Sequence, residues 1–146
     1  MSHVASTGIY HGYCSDNRRY AYAGRIPDSL QQRYDTMVEI VDAVGAALIP
    51  GTSYASIFRR AIELYEHHGI KLLERFTHVG HNMGLETEEQ WLDDDATATI
   101  EAGMVINIEL YSMAETGEQI GNEETYVVQP SGPTRISVLP REIHAL

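Results

Sequence analysis

Apolar residues recur every three or four positions in two adjacent segments of the first half of the chain. The first segment lies between Pro27 and Pro50, and its apolar positions are Leu30, Tyr34, Met37, Val38, Val41, Val44 and Leu48. The second runs from Thr52 to Gly69, with apolar positions at Ile57, Phe58, Ala61, Ile62 and Tyr65. This spacing places each set on one side of an α-helix. The pattern therefore predicts two amphipathic helices that cover one face of a sheet.

Short apolar or alternating segments, which are typical of β-strands, lie on both sides of these helices. Upstream, residues 4–13 and 19–23 predict a Tyr-rich hairpin whose bends contain Gly12 and the Ser-Asp-Asn sequence at 15–17. Downstream, strands are predicted at residues 76–79, 104–111, 125–128 and 136–139, with a hairpin turn at 129–133. The length of 146 residues suits a single domain.

The charge balance excludes some classes of partner. Twenty-one acidic residues against ten basic ones give a formal net charge of -11. Such a charge disfavours nucleic-acid and membrane-surface binding and favours cations. The single cysteine, Cys14, leaves no internal disulfide and is typical of a reducing compartment. Because we also find no targeting or membrane-spanning pattern, we expect a cytoplasmic protein.

One histidine and several carboxylates lie within or beside the strand-like segments. They are Asp16 in Gly-Tyr-Cys-Ser-Asp, His81 in Gly-His-Asn-Met-Gly, Glu109 in Val-Ile-Asn-Ile-Glu and Glu123 in Asn-Glu-Glu-Thr. Such a set is expected of a site for hard or borderline divalent metals. Burying Glu109 in an apolar strand would cost roughly several kcal/mol unless it is paired, protonated or metal-bound. The sequence therefore favours a metal-dependent hydrolase.

Each candidate also has an ordinary structural interpretation. A histidine next to glycine is usually a loop residue bonded to backbone, and Asp16 in Ser-Asp-Asn equally fits a turn. Glu123 and Glu124 are adjacent, so on a strand they face opposite ways and only one of them can reach a site. Glu124 is the alternative ligand if the strand register shifts by one residue.

The motifs, in this order and spacing, resemble the catalytic domain of the superfamily that contains methionine aminopeptidase, aminopeptidase P, prolidase and creatinase. The likeness extends from residues 12–19, similar to Gly-Tyr-x-x-Asp-x-x-Arg, to Leu-Pro-Arg-Glu at 139–142. It implies the α+β fold called pita-bread, in which a curved antiparallel sheet is covered by two helices. Residues 1–146 would form a single, partial catalytic domain of this kind, truncated at the N-terminus.

The resemblance also implies the chemistry of the site. In the family's metallopeptidases five ligands hold two metal ions, and four of the five are present here: Asp16, His81, Glu109 and Glu123. Glu109 with His81 would be catalytic, Glu109 as the acid-base group. The implied reaction is cleavage of an amide bond, with peptides that have Pro in the second position as the leading substrates. An oxygen-rich ligand set without thiolate favours Mn²⁺, with Co²⁺, Zn²⁺ and Fe²⁺ as alternatives.

Substrate contacts are predicted separately from the metal ligands. His11 and Tyr13 flank the site strand, and Glu88 occupies the position of a second histidine in the family. Peptides or small amides are the expected partners.

Three departures from the family pattern fall where chemistry is expected. Ala5 stands eleven positions before Asp16, where the family's metallopeptidases have another Asp, Gly121 replaces a frequent Arg, and Leu110-Tyr111 replaces Pro-Gly. Because a methyl group binds no cation, we expect one metal ion or none. Two alternatives therefore stay open: a metal-free, creatinase-like C–N hydrolase of a small cationic compound, and a non-catalytic homologue that acts as a binding module.

The chain is shorter than the family's catalytic domain and begins close to the Asp-bearing hairpin. Such a chain is either a fragment or a shortened fold whose open sheet edge is covered by another subunit. We therefore expect a homo-oligomer, such as a dimer, or a missing N-terminal half.

Overall fold

The computed structural model describes residues 1–71, 73 and 76–146. In chain order its elements are β1 (Ser2–Tyr10), β2 (Tyr13–Tyr22), α1 (Asp28–Gly45), α2 (Tyr54–His67), β3 (His78–Asn82), β4 (Trp91–Asp93), β5 (Val105–Met113), β6 (Gln119–Gln129), β7 (Gly132–Arg135) and β8 (His144–Ala145). The strands described form one sheet in the order β1-β2-β6-β5-β3-β4, with β7 beside β6 and β8 beside β2. All pairs are antiparallel except β2 with β8. The predicted α+β class is confirmed.

Both predicted helices are present and pack against the sheet. Asp28 lies in the first turn of α1, where a negative charge is favourable. The side chain of Ser53 caps α2 by accepting a hydrogen bond from the backbone N–H of Ser56. The main core cluster joins the helices to alternate residues of β3, β5 and β6, and its largest aromatic members are Tyr54, Tyr65 and Tyr126. One face of the sheet is therefore covered.

The bend predicted at Gly12 is confirmed as the turn of the N-terminal hairpin, whereas the bend predicted at residues 15–17 is wrong. The two-residue turn of the hairpin is His11-Gly12, and both residues have positive φ, 50° and 86°. This is the backbone conformation of a type I′ hairpin turn, which Gly readily adopts. Residues 15–17 instead lie inside β2, where Asp16 pairs with Thr7. The interpretation of Asp16 as a turn residue is therefore wrong.

The later strands extend over the polar positions that carry the candidate chemistry. The strand predicted at 76–79 is β3, which includes His81, and the strand predicted at 125–128 is β6, which already begins at Gln119. The pattern missed these extensions because His81 and residues 122–124 are polar yet buried. The turn predicted at 129–133 is confirmed between β6 and β7, but residues 136–139 form no strand. In the part of the chain that the structure describes, we find no helix long and apolar enough to span a membrane.

Candidate metal centre

Glu109 and Glu123 lie on the same face of the sheet. They are directly opposite each other in the pairing of β5 with β6, and opposed residues on antiparallel strands project to one side. Ile108 and Leu110, on either side of Glu109, belong to the core beneath the helices. Because side chains alternate along a strand, both carboxylates occupy the sheet face away from the helices.

Asp16, His81 and Glu123 form a compact cluster on that face. Each offers one ligand atom, and these atoms all lie within 4.8 Å of one another. The residues come from β2, β3 and β6, three strands that are far apart in the sequence. Glu109 borders the cluster, with Oε2 3.9 Å from His81 Nε2. The structure thus brings the four predicted ligands together.

The ring of His81 is held in one orientation. It is fully buried, its Nδ1 lies 3.2 Å from the backbone oxygen of Asn82, and Trp91 packs edge-on at 5.4 Å. Donation from Nδ1 to that carbonyl leaves Nε2 as an acceptor. Nε2 is buried and has no hydrogen-bond partner among the residues that the structure describes. A metal ion would satisfy it.

Two carboxyl groups of the centre, those of Glu123 and Asp16, are unfavourable as anions in the metal-free protein. Burial, reinforced by the negative charges of Glu109 and Asp16, raises the pKa of Glu123 to about 8. Burial also raises the pKa of Asp16, against the opposing effect of His81. Asn107 donates a hydrogen bond of 2.7 Å to Glu123 Oε1, whereas Oε2 is buried and has no hydrogen-bond partner in the described part of the chain. The site therefore attracts either protons or a cation.

Arg18 is the counter-charge that the sequence analysis missed. Its Nη2 lies 3.6 Å from Glu109 Oε1, and its Nε lies 3.5 Å from Glu123 Oε2. The guanidinium carbon is 4.6 Å from the centroid of the Tyr111 ring, which is within cation–π range. The available signal was the spacing: Arg18 follows Asp16 by two residues, so on a strand the two share a face.

Tyr111 packs against Arg18, and Gly121 lies against the Tyr111 ring. The Tyr111 hydroxyl donates a hydrogen bond to Glu109, and burial together with the charge of Glu109 raises the pKa of this hydroxyl, so it stays protonated. Gly121 is directly opposite Tyr111, and a Cβ there would collide with the Leu110 carbonyl oxygen and the Tyr111 ring. Glycine at 121 therefore makes room for Tyr111.

Glu124 belongs to a separate cluster on the helix side of the sheet. Its carboxylate is fully buried and pairs with Arg19 at 3.0 Å, Arg135 at 3.3 Å and Arg141 at 3.9 Å. Arg141 also contacts Asp42 of α1 at 2.7 Å. This network explains how the carboxylate tolerates burial. The register selects Glu123, not Glu124, to face the candidate centre.

The predicted substrate contacts lie at the periphery. His11 forms the exposed hairpin turn, and Tyr13 is exposed where β2 begins. Glu88 lies in the exposed loop between β3 and β4. Burial lowers the pKa of His78, and Glu88 is among the acidic groups that oppose this effect. The role of these three residues in substrate binding stays a prediction.

Solved structures share the fold. An X-Pro aminopeptidase from Thermotoga maritima matches with a TM-score of 0.88 at 21% identity, over 99% of this chain and 40% of that chain. The pita-bread fold that the sequence predicted is therefore confirmed.

Sequence comparison gives the family. Residues 2–130 match the model of metallopeptidase family M24, and the chain belongs to that family. An uncharacterized peptidase of Staphylococcus epidermidis is 32% identical over 103 residues, which are 69% of this chain and 29% of the relative. An uncharacterized peptidase of Bacillus subtilis is 30% identical over 141 residues, 92% of this chain and 38% of the relative. The chain thus spans well under half the length of these two relatives.

A further relative is named as a subunit of a complex rather than as a peptidase. A FACT complex subunit of Oryza sativa is 30% identical over 104 residues, which cover 69% of this chain and 10% of that subunit. The sequence similarity therefore extends to a component of a complex as well as to peptidases.

Proposed function

We propose that this chain is a metal-dependent hydrolase of Xaa-Pro peptides. The observation that carries the proposal is the convergence of Asp16, His81 and Glu123, whose ligand atoms lie within 4.8 Å of one another. Membership of a metallopeptidase family supports the use of a divalent metal and a peptide substrate. The chain spans only 40% of the Thermotoga structure that it matches. The same activity is therefore also a proposal for any longer protein that contains this chain.

The residues fit a divalent ion. Within residues 1–71, 73 and 76–146, His81 Nε2 and Glu123 Oε2 are buried and lack hydrogen-bond partners. Unsatisfied buried polar atoms are costly unless something binds them. The donors are one imidazole nitrogen and carboxylate oxygens, with no thiolate, which favours Mn²⁺ over a structural zinc. Co²⁺, Zn²⁺ and Fe²⁺ remain alternatives in the test.

Glu109 is the residue best placed to touch the substrate. Its side chain is 14% exposed, whereas that of Glu123 is 2% exposed. Asp16, His81 and Glu123 would hold a divalent ion, which would supply Lewis acidity to the scissile carbonyl and to a water molecule. Glu109 would accept a proton from the attacking water molecule and return it to the leaving nitrogen. The Tyr111 hydroxyl, bonded to Glu109, orients the carboxylate during both transfers.

Metal binding and peptide cleavage test this function together. We expect the purified chain to bind Mn²⁺, to cleave a Xaa-Pro dipeptide or tripeptide, and to lose both properties in His81→Ala. Glu109→Gln should keep most of the metal yet lower kcat by about 10²-fold or more, because only the proton acceptor is lost. Glu66→Gln, a change of the same chemistry on the exposed side of α2, is the control. Cleavage that survives chelation would contradict the proposal.

A metal-free or non-catalytic role is the second candidate, and Arg18 favours it. Its guanidinium already supplies positive charge to Glu109 and Glu123, so those carboxylates are partly compensated without a metal. The similarity to a FACT complex subunit also supports a binding role. Under this alternative, Mn²⁺ would leave the thermal stability of the chain unchanged. Turnover of a small cationic amide after chelation would identify the metal-free hydrolase.

Self-association is the remaining part of the proposal. Every residue of β1 is exposed, and β1 is the edge strand of the sheet order. Val4, Ile9 and Tyr10 are 66%, 74% and 78% exposed. Apolar side chains on an unpaired edge favour pairing with another polypeptide. We propose a homo-oligomer, or an additional N-terminal half, as the cover for this edge.

A further inference from the structure

One registered row of residues crosses four adjacent strands of the sheet. In this row Ala5 of β1 is opposite Arg18 of β2, Arg18 is opposite Glu123 of β6, and Glu123 is opposite Glu109 of β5. Opposed side chains on antiparallel strands share a face. Arg18 therefore stands between position 5 and the two glutamates. A carboxylate at position 5 would have Arg18 as its nearest neighbour across the hairpin.

We propose that Arg18 is a built-in cation that replaces a second divalent ion, so that this chain holds a single ion through Asp16, His81 and Glu123. The inference rests on the proposed function for that single ion. The inference goes beyond the proposed function because it assigns the second cation position to a side chain of the protein.

The contacts of Arg18 match those of a bound cation. It lies 3.6 Å from a Glu109 oxygen and 3.5 Å from a Glu123 oxygen, and it stacks on Tyr111. Its side chain is only 17% exposed, so its charge is poorly screened by solvent. A divalent ion that bridged the same two carboxylates would meet this guanidinium.

Three departures from the family pattern form a single arrangement around Arg18. The methyl group of Ala5 leaves the position opposite Arg18 without a competing ligand. Gly121 leaves room for the Tyr111 ring, which could not lie there beside a larger residue. Tyr111 in turn supports the guanidinium and donates to Glu109. What the sequence shows as separate losses is one connected site in the structure.

Charge balance gives the same ion count. Asp16, Glu109 and Glu123 are the three carboxylates of the centre. When all three are ionised, one divalent ion and one guanidinium neutralise them. A second divalent ion beside Arg18 would leave an excess of two positive charges in a largely buried site, which is strongly unfavourable.

The experiment measures Mn²⁺ bound per chain, by calorimetry and by elemental analysis after desalting, in four proteins. We expect one ion in the wild type and one in Ala5→Asp, because the new carboxylate would pair with Arg18. Arg18→Met should bind one ion about tenfold more tightly, since no internal cation competes for the glutamates. Ala5→Asp combined with Arg18→Met should bind two ions and show the magnetic coupling of a Mn²⁺ pair in electron paramagnetic resonance.

Several results would overturn the inference. Two ions in the wild type, or two in Ala5→Asp with Arg18 still present, would show that the guanidinium does not exclude the second ion. If the variant that combines Ala5→Asp with Arg18→Met folds but binds only one ion, the inference is also wrong. Ala5 is exposed, so Ala5→Asp should fold. Its ion count, compared with that of the wild type, tests the inference even if the variants at Arg18 do not fold.

The failure of the proposed function gives a different pattern. If the wild type binds no ion but Arg18→Met gains one, Arg18 is a cation substitute and the metal-dependent function is wrong. If neither binds an ion, both ideas are wrong. Arg25→Met is the matched control, because it removes the same charge from an arginine that pairs only with the exposed Asp28 among the ion pairs of the described residues. It should leave both ion count and affinity unchanged.

Discussion

The stability of the metal-free protein should fall as pH rises through the neutral range, because of Glu123. The folded chain holds this proton up to about pH 8, whereas an unfolded Glu loses it near 4.5. Between these values the folded state binds more protons than the unfolded state, so raising the pH favours unfolding. One such proton lowers the free energy of unfolding by about 1.4 kcal/mol per pH unit. Across the window the loss is on the order of a few kcal/mol, a large share of the stability of a small domain.

Urea denaturation with a chelator present, at intervals from pH 5 to pH 8, measures this slope. The decisive quantity is the difference in the free energy of unfolding between the wild type and Glu123→Gln, because groups remote from the centre titrate equally in both. The glutamine keeps an oxygen for Asn107 to bond and removes the ionisable group. The wild type should therefore lose stability relative to Glu123→Gln as pH rises, and Mn²⁺ should restore it most strongly near pH 8. Parallel curves, or a wild type that gains on the variant, would refute this account of the buried carboxyl group.

Two further predictions concern Gly121, which lies opposite Tyr111 in the sheet, and the exposed edge strand β1. Gly121→Ala should lower the free energy of unfolding by roughly 2 kcal/mol or more, because its Cβ would collide with the Leu110 carbonyl oxygen and the Tyr111 ring. Thermal and urea unfolding measure this difference. Equal stability of the variant and the wild type would show that the strand can move aside. In sedimentation the wild type should form dimers or larger species. Ile9→Lys should weaken this association, since a charge on an exposed edge strand opposes strand pairing. A wild type that stays monomeric at high concentration would contradict self-association.

The sequence by itself determined the two helices, the positions of the main strands and the identity of the family. Period-3.6 spacing gave both helices because each must bury one stripe of apolar side chains. The ordered motifs around Asp16, His81, Glu109 and Glu123 led to the fold that the comparisons confirm. Alternation along a strand also showed that Glu123 and Glu124 cannot serve the same face. These are local properties, and neighbouring residues suffice to express them.

Only the tertiary structure decided which groups share the centre. Strand ends such as those of β3 and β6 were misplaced because buried polar residues break the apolar pattern that marks a strand. The partnership of Arg18 with Glu109 and Glu123 depends on the register between β2, β6 and β5, which joins residues about a hundred positions apart. A shift of one residue would turn each side chain to the opposite face. The spacing from Asp16 puts position 18 on the same face of a strand, but only the sheet shows that its side chain meets Glu109 and Glu123.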